Sequence, residues 1–516
     1  MPTSNTVATL NGFYKQIYGD SLINLIPDSA MFIKDIPYER RKKLGDYYNV
    51  PIILQGENGF TYNDGDGTAF ALNDANAMAT KNAKVRGAEK VLRSQISYKA
   101  AAAATSSKEA FADATSTLFE NMVESMANRL ELSCFYGNSS LGNANGSTAV
   151  ASFSQAQFGI ATYGRSGTTV TVTTSRAHGL EANQVVYFTD DAGNSVALST
   201  GIILTVPSST TFTATASASG TVTAGAACTL APFVRTGAAT TSGWYYINRN
   251  QWSTGLWAGK VGATLNFYQD NNSTPISSSS DAIFEVAAID PAYLRIRVTG
   301  TAPGIGDFAT VVATKANFDG GLTVYFQGSK GKDFLGLDQI ITYSGSDLFG
   351  IDNTVYSLWK GNNVTTSGAI TFSKVISSIE NAVAQGLRGD VCAYVPTAVF
   401  NTMMVDQAAL RMYDQSYNGK EGITGFNGLK FQASNGAVMI EPHPILKAGE
   451  IFIIPKKDFI RVGATDVTFQ TPGMDSEEIF LQLPSNAGYE VRAYADQALL
   501  CMAPAKCTKL TGFDVA

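Results

Sequence analysis

The clearest hydrophobic pattern in the chain begins just after residue 105. Ser106-Ser107-Lys108-Glu109 fits a capping box, in which a Ser hydroxyl and the Glu carboxylate accept hydrogen bonds from exposed backbone N–H groups. Apolar side chains then recur with helical spacing, at Phe111, Leu118, Met122, Met126 and Leu130. Gly137 supplies a stop signal. The pattern predicts a helix over 107–136, about 45 Å long at about 1.5 Å per residue, which is long enough to act as a spine.

The stretch before this helix predicts a long hairpin over residues 51–104. An apolar run at 50–54 opens it, and the turn-forming residues 63–67 make an elaborated tip. The returning stretch 91–99 alternates, with apolar residues such as Leu92 on one face and charged or polar residues on the other. The period of two indicates an extended strand with one protected face.

Residues 1–50 predict an arm. Prolines punctuate this segment, and its aromatic residues follow no sustained period. Such a segment has aromatic surface to bury but little local structure in which to bury it. We therefore expect it to lie on another part of the protein or on a neighbouring subunit.

The composition changes after the predicted helix. Residues 137–233 carry only five charged side chains among many Thr, Ser, Gly and Ala residues. Short β-prone runs alternate there with turn residues, and β character continues through 243–333. This pattern predicts an all-β domain inserted at 160–333, with two candidate subdomains at 166–233 and 243–333.

Helices reappear from residue 334 onward. A helix is predicted from Ser373 to Gln385, with Ile376, Ile379 and Val383 on one face. A strand at 391–395 leads through Pro396 into a second helix that carries residues 403–410. Further strands are expected at 451–454 and within 489–502. Together with the earlier elements, this region predicts an α+β fold.

Composition narrows the class of function. Charged residues make up 16% of the chain, against about 25% in a typical protein, and only two residues are histidine. The net charge of −6 argues against a dedicated DNA-binding protein, and the scarcity of His disfavours a His-based metal or acid–base centre. We expect a structural protein, not an enzyme, with no cofactor and no metal.

Cysteine usage and hydropathy exclude further classes. The five cysteines are odd in number and contain no C-x-x-C pair, so buried reduced thiols are favoured over disulfides or zinc. Mean hydropathy is +0.01, and no apolar stretch approaches the roughly 18 residues of a membrane span. The N-terminus shows no secretory signal pattern. We therefore expect no membrane partner.

Local motifs add no catalytic site. The sequence around Lys332 lacks the Ser or Thr and the glycine spacing of a phosphate-binding loop. Asp64-x-Asp66 resembles the start of a calcium loop but lacks its later Gly and Glu, so a turn is favoured. His178 is expected in a turn, with a ligand-binding role as the alternative, and His443 lies between two prolines as a connector.

Basic residues cluster in and near the predicted hairpin. Residues 75–104 carry a local charge of +5 in a chain whose net charge is −6. Such clusters suggest docking on an acidic neighbour, or on nucleic acid for the run at 40–43; the alternative is an ordinary solvated surface. The candidate inter-subunit contacts are Arg40, Arg41, Lys42, Lys43, Lys81, Lys84, Arg86, Lys90 and Arg93.

The order of these elements resembles the major capsid protein of tailed bacteriophages, the Hong Kong 97 fold. The runs beginning Phe334-Leu335-Gly336 and Gly488-Tyr489-Glu490 are similar to its return into the peripheral domain and its final strands. The resemblance implies an arm at 1–50, an extended loop at 51–104, a spine helix and the start of the peripheral domain at 105–159, an inserted β domain at 160–333, the peripheral return at 334–372, and the axial domain with closing peripheral strands at 373–516.

The resemblance also implies a function and partners. The chain would self-assemble through pentamers and hexamers into an icosahedral shell enclosing double-stranded DNA. It would be assembled in the host cytoplasm and retained in the virion. Because no long charged helical extension precedes the arm, a separate scaffolding protein is expected. A portal and a decoration protein are further candidate partners, with non-specific contact to packaged DNA. Lys81 and Lys84 lie in the hairpin, but no acceptor for a covalent cross-link is identified.

Three alternatives remain at this point. A tail or fibre protein would use the Thr-rich β region as its main body, but the capped helix and the C-terminal α+β region argue against it. An encapsulin-like shell of the same fold is disfavoured by the large insertion. A carbohydrate-active enzyme is disfavoured because no convincing acid–base pair is present.

Overall fold

The computed structural model describes residues 30–40, 47–65, 67, 69–98, 108–144, 161–174, 185–190, 201–235, 242–247, 249–269, 283–302, 306–307, 322–405, 429–433, 436–470, 479–482 and 487–514. Its α-helices are α1 (Phe32–Asp35), α2 (Lys108–Tyr136), α3 (Thr254–Trp257), α4 (Leu337–Ile341), α5 (Phe372–Ser378), α6 (Glu380–Ala384) and α7 (Thr397–Val405). Helices and strands are mixed along the chain, which confirms the predicted α+β class.

The strands follow one another closely along the chain. The first twelve are β1 (Tyr38–Arg40), β2 (Tyr48–Gln55), β3 (Ala79–Val85), β4 (Ala88–Ser97), β5 (Gly142–Ala144), β6 (Ala161–Thr173), β7 (Val185–Asp190), β8 (Gly201–Ser208), β9 (Thr211–Arg235), β10 (Ser242–Tyr246), β11 (Thr264–Gln269) and β12 (Ile283–Asp290). The others are β13 (Arg295–Ala302), β14 (Gly306–Asp307), β15 (Leu322–Phe326), β16 (Asn362–Thr365), β17 (Val391–Val395), β18 (Leu429–Ala433), β19 (Gly436–Pro442), β20 (Glu450–Ile454), β21 (Phe459–Thr468), β22 (Phe480–Gln482), β23 (Gly488–Cys501) and β24 (Thr508–Thr511).

The long helix α2 is the spine of the described fold. Met122, Met126 and Leu130 are buried at the predicted helical spacing, and every residue from 130 to 136 is buried. The helix is therefore amphipathic over 118–129 and ends inside the core. The capping residues Ser106 and Ser107 lie outside the described residues, whereas the predicted stop at Gly137 is confirmed.

The hairpin differs from its prediction in the partner of one strand. β2 pairs with β3 in a two-stranded antiparallel sheet that starts with Tyr48 opposite Val85. The alternating strand β4 instead pairs antiparallel with β23, from Ala88 opposite Gln497 to Ser97 opposite Gly488. The alternation itself is confirmed over 89–95, where odd-numbered residues are exposed and even-numbered ones are partly covered. The alternation of apolar and polar residues shows which face of β4 is covered, but it does not show which strand pairs with β4.

β4 belongs to a five-stranded sheet of order β1-β21-β23-β22, with β4 on β23. This sheet joins residues from both ends of the chain. Its inner face packs against α2 and contributes Val462, Val491 and Leu499 to the main hydrophobic core. The predicted strands at 489–502 form one continuous strand here, β23.

The C-terminal region has a sheet and a core of its own. The sheet order is β16-β24-β20-β17-β19-β18, and β17 and β20 are buried along their whole length. A second hydrophobic cluster joins this sheet to α5, α6 and α7. The single helix predicted over 373–385 is divided at Ile379 into α5 and α6. The second predicted helix forms at Thr397–Val405, and residues 406–410 lie outside the described residues.

The Thr- and Gly-rich region contributes to an eleven-stranded sheet. The two candidate subdomains differ in how they are buried. Tyr245, Phe267 and Val324, from the second, belong to the main core together with α2. Val170, Val172, Phe212 and Ala214, from the first, are buried outside both main clusters. The described residues of 243–326 are therefore continuous with the body of the protein, and those of 161–235 have a small core of their own.

Candidate assembly surface

The hairpin tip, defined as residues 56–78, extends beyond the paired part of β2 and β3. Two hydrogen bonds within the tip hold its two sides together. Asn73 donates its backbone N–H to Thr61 Oγ1 at 2.8 Å and its side-chain amide N–H to the Phe60 carbonyl at 2.8 Å. Gly65 and Gly67 adopt φ values of +82° and +81°, which only glycine adopts easily. The predicted turn is confirmed there.

The hairpin tip and its approach expose large apolar side chains. Their exposed fractions lie between 50% and 88% for Ile53, Phe60, Tyr62, Phe70, Leu72 and Met78. Isolated exposed apolar residues are normal, but a cluster of this kind marks an interaction surface. The tip is also acidic, because Glu57, Asp64, Asp66 and Asp74 fall in a stretch that contains no Lys or Arg.

The base of the hairpin, in contrast, is fixed to the body of the protein. Tyr48, Ala83 and Val85 are buried in the main core. Lys84 donates its backbone N–H to the Phe349 carbonyl at 2.7 Å, and the Lys81 ammonium lies 5.2 Å from the centre of the Tyr356 ring. The tip is therefore presented on a rigid base.

The predicted contact residues do not all lie on one surface. Lys81, Lys84 and Arg86 are exposed on and just after β3, and Arg40 is exposed on β1. Arg93 is exposed on β4 and forms an ion pair with Glu490 at 2.6 Å. The residues 41–43 lie outside the described part of the chain.

Lys90 is the exception among these residues. It lies on the inward-facing side of β4, where its ammonium pairs with Asp333 at 2.9 Å and lies 4.4 Å from the Phe334 ring centre. Burial lowers the pKa of Lys90, although Asp333 opposes that shift. The structure therefore uses Lys90 as an internal contact, not as part of the exposed basic surface.

The described part of the arm is held by a buried carboxylate. Glu131 of α2 accepts backbone N–H bonds from Phe32 at 2.7 Å and Ile33 at 2.8 Å, and its Oε1 lies 2.8 Å from His443 Nε2. Glu131 and His443 are both fully buried. The Ile445 N–H faces His443 Nδ1 at 3.4 Å, so the contacts fit an imidazole whose Nε2–H donates to Glu131. This segment of the arm lies on the same chain.

A second buried network joins the main core to the six-stranded sheet. Lys509 of β24 pairs with Asp338 of α4 and, at 3.0 Å, with Glu450 of β20. Ser139 donates to the second oxygen of Asp338 at 2.6 Å. Burial opposes ionisation of Asp338, but Lys509 and Lys447 outweigh it and hold the pKa of its carboxyl below the usual value. The network therefore stabilises the contact between the two parts of the fold in its charged form.

Sequence reasoning missed the role of Glu131 and gave His443 only a connector role. Glu131 is a charged residue that lies between Leu130 and Leu132 in the buried end of α2. Its apolar neighbours were the available signal that its carboxylate is buried. Asp66 of the candidate calcium pair lies outside the described residues, among which no group of three or more His, Cys, Asp or Glu residues suited to a metal occurs. His178 lies outside them.

Four of the cysteines are buried, and the described helices do not fit a membrane span. Cys134, Cys392, Cys501 and Cys507 are buried free thiols, as predicted. Burial raises the pKa of Cys134, and the nearby Glu131 adds to that shift. Within the described ranges, none of the helices has the length and apolar character needed to cross a membrane.

No protein-family model matches this chain, and no curated protein does. Among solved structures, the chain is similar to the cyanophage A-1(L) capsid asymmetric unit, with 7% identity, 99% of both chains covered and a TM-score of 0.45. It is similar to the capsid of the native GTA particle, with 6% identity, 99% of this chain and 100% of the other covered, and a TM-score of 0.41. For Mycobacterium phage Bobi the identity is 7%, the coverage 100% of both chains and the TM-score 0.40. We base the function proposed below on the geometry of this chain.

Proposed function

We propose that this chain is the major capsid protein of a tailed bacteriophage, which self-assembles into an icosahedral shell enclosing double-stranded DNA. The observation that carries the proposal is the hairpin tip. It is internally bonded and fixed at its base, yet its large apolar side chains have no cover within the described chain. A two-stranded hairpin of this kind is marginally stable alone, so a second copy of the chain is the natural cover.

The distribution of charge supports contact between copies. The hairpin tip is acidic, whereas the strands beneath it expose Lys81, Lys84 and Arg86. Opposite charges on different parts of one molecule favour a head-to-tail contact, and repetition of such a contact forms a ring where the rotation between neighbours closes. Pentamers and hexamers of a shell are rings of this type.

The layout supports a capsid of the Hong Kong 97 type. β2, β3 and the tip correspond to the extended loop, and α2 to the spine helix. The five-stranded sheet with β4 corresponds to the peripheral domain, and the six-stranded sheet, with its separate hydrophobic cluster, to the axial domain. We assign residues 161–235 to the outward-facing part of the insertion, because they are buried apart from both main clusters.

The proposed role is structural and includes no catalytic step. The partners would be further copies of the chain, a separate scaffolding protein, a portal and a decoration protein, with non-specific contact to DNA. The protein would be assembled in the host cytoplasm and retained in the virion. A tail or fibre role is less well supported, since the buried helix α2 and the six-stranded sheet make up much of the described body.

Negative-stain electron microscopy of the full-length protein, expressed with its scaffolding partner, tests this proposal. We expect closed shells, or free pentamers and hexamers. The double variant Phe60→Ser, Leu72→Ser should remain folded by circular dichroism but fail to form shells, because it removes apolar surface only from the hairpin tip.

A matched control removes exposed apolar surface elsewhere. Val261 and Val355 are 61% and 67% exposed and lie outside the hairpin, so Val261→Ser, Val355→Ser should assemble as the wild-type protein does. A wild-type protein that stays monomeric beside its scaffolding partner contradicts the proposal. Normal shells from the tip variant would show that the tip is not the assembly surface.

A further inference from the structure

A cavity of about 470 Å³ lies between β4, α2 and the turn that follows β15. This volume falls within the range of about 300–1,000 Å³ that is usual for small-molecule sites. Met126, Leu132, Leu141 and Phe326 form apolar walls, and polar groups come from Ser125 and Asn138. None of the residues that line the cavity belongs to the hairpin tip.

The cavity is lined by more positive than negative charge. Lys90, Arg129, Lys260 and Lys332 line it, against Glu89 and Asp333. Lys90 and Asp333 neutralise each other in their ion pair. Glu89 is exposed on the outward side of β4, where it interacts with Tyr494. The lining therefore carries two more positive than negative side chains.

Arg129 shows the most specific sign of a missing partner. Its guanidinium carbon lies 3.4 Å from the centre of the Phe326 ring, which fixes the plane of the group. Its Nη1 is shielded from solvent and has no hydrogen-bond partner among the described residues. Burial lowers the pKa of Arg129 to about 10, although the negative charge of Asp333 opposes that shift. A buried charged donor without an acceptor is costly and is rare in native proteins.

Lys260 adds a second cation to the same space. Its side chain is partly buried, and the described residues supply no ion-pair partner for its ammonium. Burial lowers the pKa of Lys260, and the positive charge of Arg129 lowers it further. Two like charges that disfavour each other inside a cavity are stabilised together by one anion.

We propose that this basic cavity binds an oxyanion, a phosphate or carboxylate group, that accepts hydrogen bonds from Arg129 Nη1 and the Lys260 ammonium. The planar guanidinium is suited to two-point binding of such groups, and Lys332 adds positive charge to the lining. The apolar wall of Met126, Leu132 and Phe326 leaves room for the part of the ligand that carries the oxyanion. The site does not depend on the capsid role proposed above.

Two ligands separate the possible sources of the oxyanion. Isothermal titration of the full-length protein with inorganic phosphate, at matched ionic strength in chloride, probes a free anion. Titration with a peptide of residues 56–78 probes a carboxylate from the acidic tip of another copy. We expect saturable binding of at least one of them.

Variants then localise the binding. Arg129→Met keeps an unbranched apolar side chain at that position of α2, and Lys260→Met changes a residue outside the helices, so each variant removes one cationic donor. Because a hydrogen bond to a charged group contributes strongly, we expect each variant to weaken binding at least about tenfold. Lys360→Met is the matched control, since Lys360 is exposed and does not line the cavity; its binding should equal that of the wild-type protein.

Each outcome decides the proposal. Phosphate binding lost in both variants identifies a free-anion site, and peptide binding lost in both identifies a carboxylate from a second copy. Absence of binding by either ligand overturns the proposal. Binding that survives both substitutions, or that Lys360→Met weakens equally, overturns it as well. Far-ultraviolet circular dichroism of each variant separates a lost ligand from a lost fold.

Discussion

At the scale of single residues, the end of α2 shows how closely two backbone segments approach. Gly336 donates its N–H to the Gly137 carbonyl at 3.1 Å, and a Cβ at position 137 would lie 2.3 Å from the Phe334 carbonyl oxygen. The sequence identifies Gly137 as a helix stop from the pattern that precedes it. The structure adds a second reason for glycine, since the facing segment leaves no room for a methyl group.

Replacing Gly137 with alanine tests this close approach. We expect Gly137→Ala to lower the free energy of unfolding by about 1–3 kcal/mol, because the new methyl group overpacks a buried contact. Urea unfolding followed by circular dichroism measures the change. Gly56→Ala is the control, as its Cβ would meet no atom within 4 Å, and it should change stability little. Equal stability of Gly137→Ala and the wild-type protein would show that the segments can separate without cost.

For other contacts between single residues, the local sequence gave no sign of the partner. Glu131 and His443 lie 312 positions apart, and Asp338 and Lys509 lie 171 apart. The leucines beside Glu131 indicate that it is buried, but only the folded topology shows that the two members of each pair meet. Periodicity reports which face of an element is buried, but it does not report which distant side chain shares that environment.

At the scale of elements, regular periodicity predicted where helices and strands form better than it predicted which strands pair. The helical spacing at Met122, Met126 and Leu130 predicted α2, and the alternation over 91–99 predicted β4 as a strand. The strand that lies beside β4 was not predictable, because an antiparallel partner satisfies the same alternation wherever it comes from. The hairpin was therefore predicted with the correct opening strand and tip, but with β4 in place of β3 as its return.

The attachment of α1 and β1 to α2 gives an element-scale prediction. Glu131→Ala removes the acceptor for two backbone N–H groups and for His443, leaving three buried donors unpaired. We expect a loss of about 3 kcal/mol or more in the free energy of unfolding and faster amide hydrogen exchange over residues 30–40.

Glu120→Ala provides the control for this prediction, because Glu120 is exposed on the same helix. It should leave both the stability and the exchange of residues 30–40 close to wild-type values. If exchange over 30–40 is unchanged in Glu131→Ala, the arm is held by the packing of Phe32 in the aromatic cluster with Phe135 and Tyr394, not by the carboxylate.

At the scale of the whole molecule, burial divides the predicted insertion into two unequal parts. The sequence pattern joined 160–333, because β-prone runs continue across it. The main core nevertheless includes Trp257, Phe284 and Phe326, so the second part is required to complete the environment of α2. The composition of a segment does not show which hydrophobic core its side chains belong to.

Two deletions distinguish these parts. Replacing 161–235 with a short Gly-Ser linker should leave a soluble protein whose other helices and strands are retained, because the buried residues removed lie outside both main clusters. Replacing 160–333 should abolish cooperative unfolding, because it removes a large share of the main core. Circular dichroism and thermal unfolding of both proteins check this. Equal behaviour of the two would contradict the division.

The five-stranded sheet has a consequence for synthesis of the chain. β1 and β4 are made early, but their partners β21 and β23 leave the ribosome only after residues 459–501 have been translated. At typical elongation rates this delay is on the order of tens of seconds. During that interval the hairpin has been synthesised, but the five-stranded sheet that contains β4 is not yet complete. A chain that terminates before residue 459 lacks β21 and β23, so its β1 and β4 have neither of these partner strands.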